Sequence, residues 1–159
     1  MKSLLVAAVL LAPLPALAQS AAPPIKLYSS SADVQALIAS ARAEHKGGNT
    51  VRVIANVPGY PVQLEYRTGT TPPSIHPTQD ELIEVIGGGC TLVTGGSLTG
   101  ISPGAAGAKT LTATAIEGGS PRKVAKGDYI FVPANTPHQY TEIQGELITV
   151  AVHMPAVTK

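Results

Sequence analysis

One cysteine, Cys90, in 159 residues excludes an internal disulfide, so stability has to come from an apolar core. A lone thiol inside a strand reads as a small buried hydrophobe rather than as a nucleophile. Charge is equally scarce: eleven Lys and Arg stand against ten Asp and Glu, a formal net charge of +1. With no basic patch or polybasic run, nucleic acid is excluded as a partner, and so is an anionic lipid surface. No long repeat is present, and only one stretch has helical periodicity. The one long apolar run, Leu4 to Ala16, is too short for the ~30 Å of a bilayer core, and Pro13 and Pro15 break it as a helix, so no membrane anchor is expected.

That run follows Lys2 and ends in Ala16-Leu17-Ala18, a small-x-small cleavage pattern. Residues 1–18 therefore read as a Sec-type export signal, and the absence of a cysteine after the cleavage point argues against a lipid anchor. The mature chain would start near Gln19, carry zero formal net charge without Lys2, and be periplasmic or secreted. Its roughly 140 residues suffice for one domain. Residues 19–49 are expected to hold a linker and one helix, and residues 50–159 a single β domain.

Ser30-Ser-Ala-Asp33 has the spacing of a capping box, and Val34, Leu37, Ile38 and Ala41 recur on one helical face. Gly47-Gly48 supply a stop, and His45 before them reads as a favourable charge at a helix C-terminus. From Thr50 onward the pattern is strand and turn. The expected strands are 50–57, 62–67, 82–86, 90–94, 110–116, 122–124, 129–132, 138–143 and 147–153, with Gly87-Gly88-Gly89 as a break. The glycine- and serine-rich stretch 95–107 reads as a solvated loop. Many short strands with regular turns imply an all-β sandwich or barrel carrying one short N-terminal helix.

Two stretches carry chemistry. Ser74-Ile-His76-Pro-Thr-Gln-Asp-Glu81 sets an imidazole and a carboxylate five positions apart, and Pro133-Ala-Asn-Thr-Pro137-His138 sets a second imidazole at the start of a strand. Five is an odd spacing, so His76 and Glu81 cannot share a face of one straight strand. If 77–80 closes a hairpin, both can point inward. Two imidazoles and one carboxylate at one point make a transition-metal site with open positions.

These stretches resemble the two motifs of the cupin superfamily. His76, Glu81 with four residues between them, and Gly88 with six between it and Glu81 fit the first motif, while Gly127, Pro133 and His138 fit the second. The resemblance spans roughly residues 51–154. It implies a small single-domain double-stranded β-helix, a jelly-roll barrel with a metal inside one mouth. It also implies frequent homodimers among such proteins. Ser74 stands where the family's first histidine belongs, Asn135 replaces a glycine, and Glu142 replaces an asparagine. The ligand set implied is thus His76, Glu81 and His138, enough to hold a divalent Fe, Mn, Ni or Zn ion. The alternative is a cupin whose site has decayed and binds no metal.

Tyr140, two residues past His138, could donate a proton or hydrogen bond to a substrate, or simply be a satisfied barrel aromatic. Gln63, Glu65 and Arg67 share one strand face, which reads first as the wet side of a sheet. If that face lines the barrel, Arg67 could clamp a substrate carboxylate. Glu84 lies on the face opposite Glu81. His153 lies on the last strand with Thr149 and Ala151, but no family motif places a ligand there. The functions open to such a chain are a metal-dependent enzyme (oxidation, isomerisation or lyase chemistry on a small polar molecule), a non-catalytic small-ligand binder with or without metal, or a structural cupin.

Overall fold

The computed structural model describes residues 24–102, 104 and 107–156, so the export signal expected over 1–18 lies outside the described residues. Among the described residues no helix is long and apolar enough to cross a membrane.

The helix α1 (Ser31–Glu44) starts where the capping box predicts. Ser30 Oγ accepts from the Asp33 amide at 3.2 Å, and Asp33 Oδ2 accepts from the Ser30 amide at 2.9 Å. Such a cap is worth about 1 kcal/mol. The helix ends one residue before His45, whose ring is not used on the terminal carbonyls. It bridges Thr50 Oγ1 and Thr68 Oγ1 at 2.8 and 2.9 Å and so pins the helix end to the sheet.

Eleven strands follow: β1 (Thr50–Val57), β2 (Tyr60–Arg67), β3 (Ser74–Ile75), β4 (Gln79–Thr94), β5 (Ser97–Thr99), β6 (Leu111–Thr112), β7 (Ala115–Glu117), β8 (Ser120–Ala125), β9 (Tyr129–Val132), β10 (His138–Thr141) and β11 (Leu147–Pro155). All pairings among them are antiparallel. The first layer runs β1-β2-β11-β4-β9 and the second β8-β4-β10-β3-β6. β4 belongs to both. Its first half lies between β11 and β9, its second half between β10 and β8. The curled result is the double-stranded β-helix that the two motifs imply.

The triple glycine does not break the strand, contrary to the sequence expectation. β4 runs through it for 16 residues and bends there. Gly88 has φ +72°, and the β4–β11 register shifts beside it, between Ile148 and Thr149. A Cβ at Gly88 would fall on the Glu146 carbonyl oxygen, so only glycine allows β11 to pass this close. Two further expectations change. Ser97–Thr99 in the supposed loop pairs with β7, because Leu98 has a partner in Ile116. Pro77-Thr78 does not close a hairpin: β3 pairs with β10 and β6, and β4 with β11 and β9 at this point, so the turn carries the chain from one layer to the other.

The apolar stripe of α1 covers the outside of the first layer, where Ile38 and Ala41 pack on Leu64, Tyr66 and Ile148. Inside the barrel, Ile83, Val85, Cys90, Leu92, Val124, Val132, Leu147 and Ala151 fill one end. Burial pushes the Cys90 thiol up to about 11, which keeps it an unreactive hydrophobe.

Replacing Gly88 by Ala is expected to destabilise the protein by more than ~2 kcal/mol. Gly59→Ala, also at positive φ (+89°) but with nothing within 4 Å of the new methyl, should cost only about 1 kcal/mol. Urea unfolding of the two variants measures the difference.

Candidate metal centre and its pocket

The polar end of the barrel gathers its side chains from both layers. Glu81 sits near the start of β4 and His153 lies directly opposite it on β11, as cross-strand partners. His76 follows β3, and His138 opens β10 opposite Ser74 and Thr94. Because β3 and β10 belong to the facing layer, their histidines meet Glu81 across the interior.

The Glu81 carboxylate is the hub. Oε2 lies 3.5 Å from His76 Nε2 and 3.4 Å from His138 Nε2, while Oε1 lies 3.5 Å from His153 Nε2. His76 and His153 bring their Nε2 atoms to 3.3 Å of one another. The three residues predicted as ligands are therefore together, and His153, which no motif marks, joins them at equal range. His76, Glu81 and His153 form one group of donor atoms, all within 4.8 Å of one another; His138, a predicted ligand, touches Glu81 but falls outside that group. Ser74 Oγ stands 3.1 Å from His138 Nε2, a hydrogen-bonding neighbour where the family pattern has an imidazole.

The remote ring nitrogens fix the near ones. His138 Nδ1 faces the Thr136 carbonyl at 3.1 Å, and His76 Nδ1 faces the Lys109 carbonyl at 3.3 Å and Thr110 Oγ1 at 3.0 Å. A carbonyl only accepts, so each Nδ1 carries a hydrogen and each Nε2 turns its lone pair toward Glu81. Asn135, which replaces the motif glycine, adopts φ +59° and its amide donates to the His76 carbonyl at 2.8 Å.

Ring nitrogens and a carboxylate brought this close repel unless a cation or a proton sits among them. Donor atoms bound about 2.1 Å from one ion stand ~3.0–3.5 Å apart, which matches the contacts of Glu81 with each imidazole and of His76 with His153. Without an ion, a single proton does the work. Burial lowers the pKa of His76, but the Glu81 carboxylate beside it outweighs burial and the net shift is upward. Burial dominates at His138 and His153, whose pKa values fall. Burial raises Glu81, yet its three imidazole neighbours pull it below the ordinary carboxylate range.

A second polar group adjoins the first. Gln63, Glu65 and Arg67 line the barrel rather than its wet exterior, because α1 has claimed the apolar Leu64 and Tyr66 face of β2. Arg67 Nη2 donates to Glu65 Oε2 at 2.9 Å, and Asn49 Nδ2 donates to Glu65 Oε1 at 2.9 Å. Thr149 Oγ1 adds a third donor to Glu65 at 3.3 Å. The guanidinium lies over the Tyr140 ring, 4.5 Å from its centroid. Burial works against the Arg67 charge, but Glu65 more than restores it. Burial, and then the charge of Glu81, hold the Tyr140 hydroxyl well above 10, so it stays a phenol that can donate a hydrogen bond. Together with the four His and Glu side chains these residues enclose a pocket of about 210 Å³.

Among the described residues, three buried side-chain polar atoms lack a hydrogen-bond partner: Arg67 Nε, Glu81 Oε2 and Tyr140 Oη. All three residues line this pocket. Buried orphans cost roughly 1–3 kcal/mol each, and clustered ones mark a place made for a ligand.

No protein-family model matches the chain, and no curated protein resembles it significantly in sequence. Its likeness is structural. A Klebsiella pneumoniae protein with a double-stranded β-helix domain matches with a TM-score of 0.51 at 15% identity, over 72% of this chain and 84% of its own. KdgF from a Halomonas species gives 0.50 at 16%, over 72% and 86%. Fe(II)-HppE, determined with the alternative substrate (S)-1-HPP, gives 0.50 at 14%, over 67% and 50%. At these identities the likeness establishes a cupin-type fold. That fold and the His–Glu cluster together fit a metal-binding cupin.

Proton NMR titration of the ion-free protein should place His76 above the ordinary histidine value of 6.5, and His138 and His153 below it. The stabilisation from His76 is then complete below pH 6.5 and lost as pH rises through its raised value. That from His138 and His153 is present above pH 6.5 and lost as pH falls through their lowered values.

Proposed function

We propose that this chain is an exported, metal-dependent cupin enzyme that acts on a small polar organic molecule. His76, Glu81, His138 and His153 would hold the ion. The observation that carries this reading is the convergence of three imidazole nitrogens on a buried carboxylate whose Oε2 has no hydrogen-bond partner. A serine at position 74 removes one histidine of the familiar set, and His153 supplies an imidazole from the neighbouring strand.

A bound divalent Fe, Mn, Ni or Zn ion would supply Lewis acidity toward a carbonyl or enolate oxygen, or a site for dioxygen. The chain's own residues do the rest. The Thr136 and Lys109 carbonyls keep two imidazoles in the ligating tautomer. Glu65 and Thr149 lock the guanidinium of Arg67 in place. Tyr140, kept as a phenol, can hold a hydrogen bond to a substrate oxygen or give it a proton.

A second reading has its own support. Glu65, the other carboxylate of the pocket, is already engaged by Arg67, Asn49 and Thr149, which leaves no free carboxylate as a general base. A non-catalytic binder of a small ligand would need none. Turnover assays on the loaded protein separate the two.

Elemental analysis of protein purified without chelator or histidine tag is expected to find about one divalent ion per chain. His153→Ala and His138→Ala should each weaken retention by at least about tenfold, while Glu84→Gln should not. A His153→Ala variant that keeps its ion would remove His153 from the set. For export, N-terminal sequencing of protein from the extracytoplasmic fraction should read Gln19 first. A start at Met1 would refute the signal.

A further inference from the structure

The pocket beside the candidate metal centre is smaller than the ~300–1,000 Å³ of sites for drug-sized molecules, so its ligand has few atoms. Its unpartnered groups are unevenly distributed. Glu81 Oε2 is the acceptor turned toward the imidazoles; of the two that remain, Arg67 Nε only donates, and the Tyr140 hydroxyl can donate as well as accept. Glu65, Asn49, Gln139 and Thr149 already have partners within the protein. A ligand that satisfies Arg67 Nε must bring an acceptor, and a second acceptor satisfies the Tyr140 hydroxyl.

Charge points the same way. Arg67 and Glu65 neutralise one another in a buried pair at 2.9 Å. Imidazoles that ligate an ion are neutral, so a divalent ion against the Glu81 carboxylate leaves one positive charge uncompensated in a buried site, and a buried charge demands a counter-charge. The approach to the site carries the same sign. A second, more open cavity of about 290 Å³ shares Gln63, Thr110 and His153 with the pocket, and exposed Lys109 stands in its wall.

We propose that the pocket takes a small organic monoanion of the carboxylate class, drawn in past Lys109 and oriented by the Tyr140 hydroxyl and Arg67 Nε. Two donors lining one small pocket suit the two oxygens of a carboxylate, or a carboxylate and its α-oxygen, as in a 2-hydroxy or 2-oxo acid. Arg67 is held from behind by Glu65 and stacked on Tyr140, so it meets the ligand without first being ordered. The inference rests on the metal-centre reading for the charge it neutralises, but its donors belong to the chain alone.

Calorimetric titration of the purified protein, its ion content measured in the same sample, with lactate and with lactamide tests the proposal, since the two probes have nearly the same shape and differ in charge. Lactate should bind at least about tenfold more tightly than lactamide. Tyr140→Phe, which keeps the ring under Arg67, should weaken lactate about tenfold with ion content unchanged. Lys109→Gln, a surface change that leaves its backbone carbonyl on His76, should weaken lactate about two- to threefold at low ionic strength and hardly at all at high. Equal binding of the two probes to ion-loaded protein, or lactate binding indifferent to Tyr140→Phe, would overturn the carboxylate assignment and leave the metal centre standing. An ion-free protein that still prefers lactate through Tyr140 would overturn the metal centre instead.

Discussion

β4 cannot stay in one layer. Eight of its 16 residues are paired on both sides, Glu81 to Glu84 by β11 and β9 and Thr91 to Thr94 by β10 and β8. Backbone groups buried in a sheet must all be paired, so the bend between the halves is confined to the one place where a residue can take φ +72° under a neighbouring carbonyl. Gly88 is that place. The bend sets Glu81 on one layer and, through the pairing of β10 with the far half of β4, His138 on the other. The distances of the cluster follow from this single change of direction.

The barrel interior is divided into an apolar end and a polar end, and α1 makes the division affordable. A strand whose two faces are apolar and polar ordinarily turns the apolar one inward. On β2 the apolar face is Leu64 and Tyr66, and it is taken up by Ile38 and Ala41 of the helix. Glu65 and Arg67 are thereby turned inside. A buried ion pair of this kind adds little to stability. What it provides is a fixed guanidinium beside the His–Glu cluster.

Much of this was legible beforehand. The capping box at Ser30, the apolar stripe of α1, the strand periods and the spacings around His76, Glu81 and His138 are local patterns, and local patterns survive in one dimension. His153 was not legible as a partner of Glu81. The two are 72 positions apart, and only the β4–β11 register makes them neighbours. The sequence marked its inward parity with Thr149 and Ala151 but could not supply that register. Gln63, Glu65 and Arg67 were misjudged for a related reason: which face of β2 is wet depends on where a distant helix docks. Gly87-Gly88-Gly89 looked like a break because glycine signals both an end and a bend, and only the partner strand β11 distinguishes them.

Placing one imidazole of the cluster on the terminal strand also orders events in time. As the chain is synthesised, His76, Glu81 and His138 emerge before His153, and β11 is the last strand to enter the sheet, between β2 and β4. Until that strand zips in, the first layer is split and the hub carboxylate lacks its cross-strand neighbour. On the reading proposed here, an ion met before β11 enters would find only His76, Glu81 and His138, and the full set of four donors would exist only in the finished barrel.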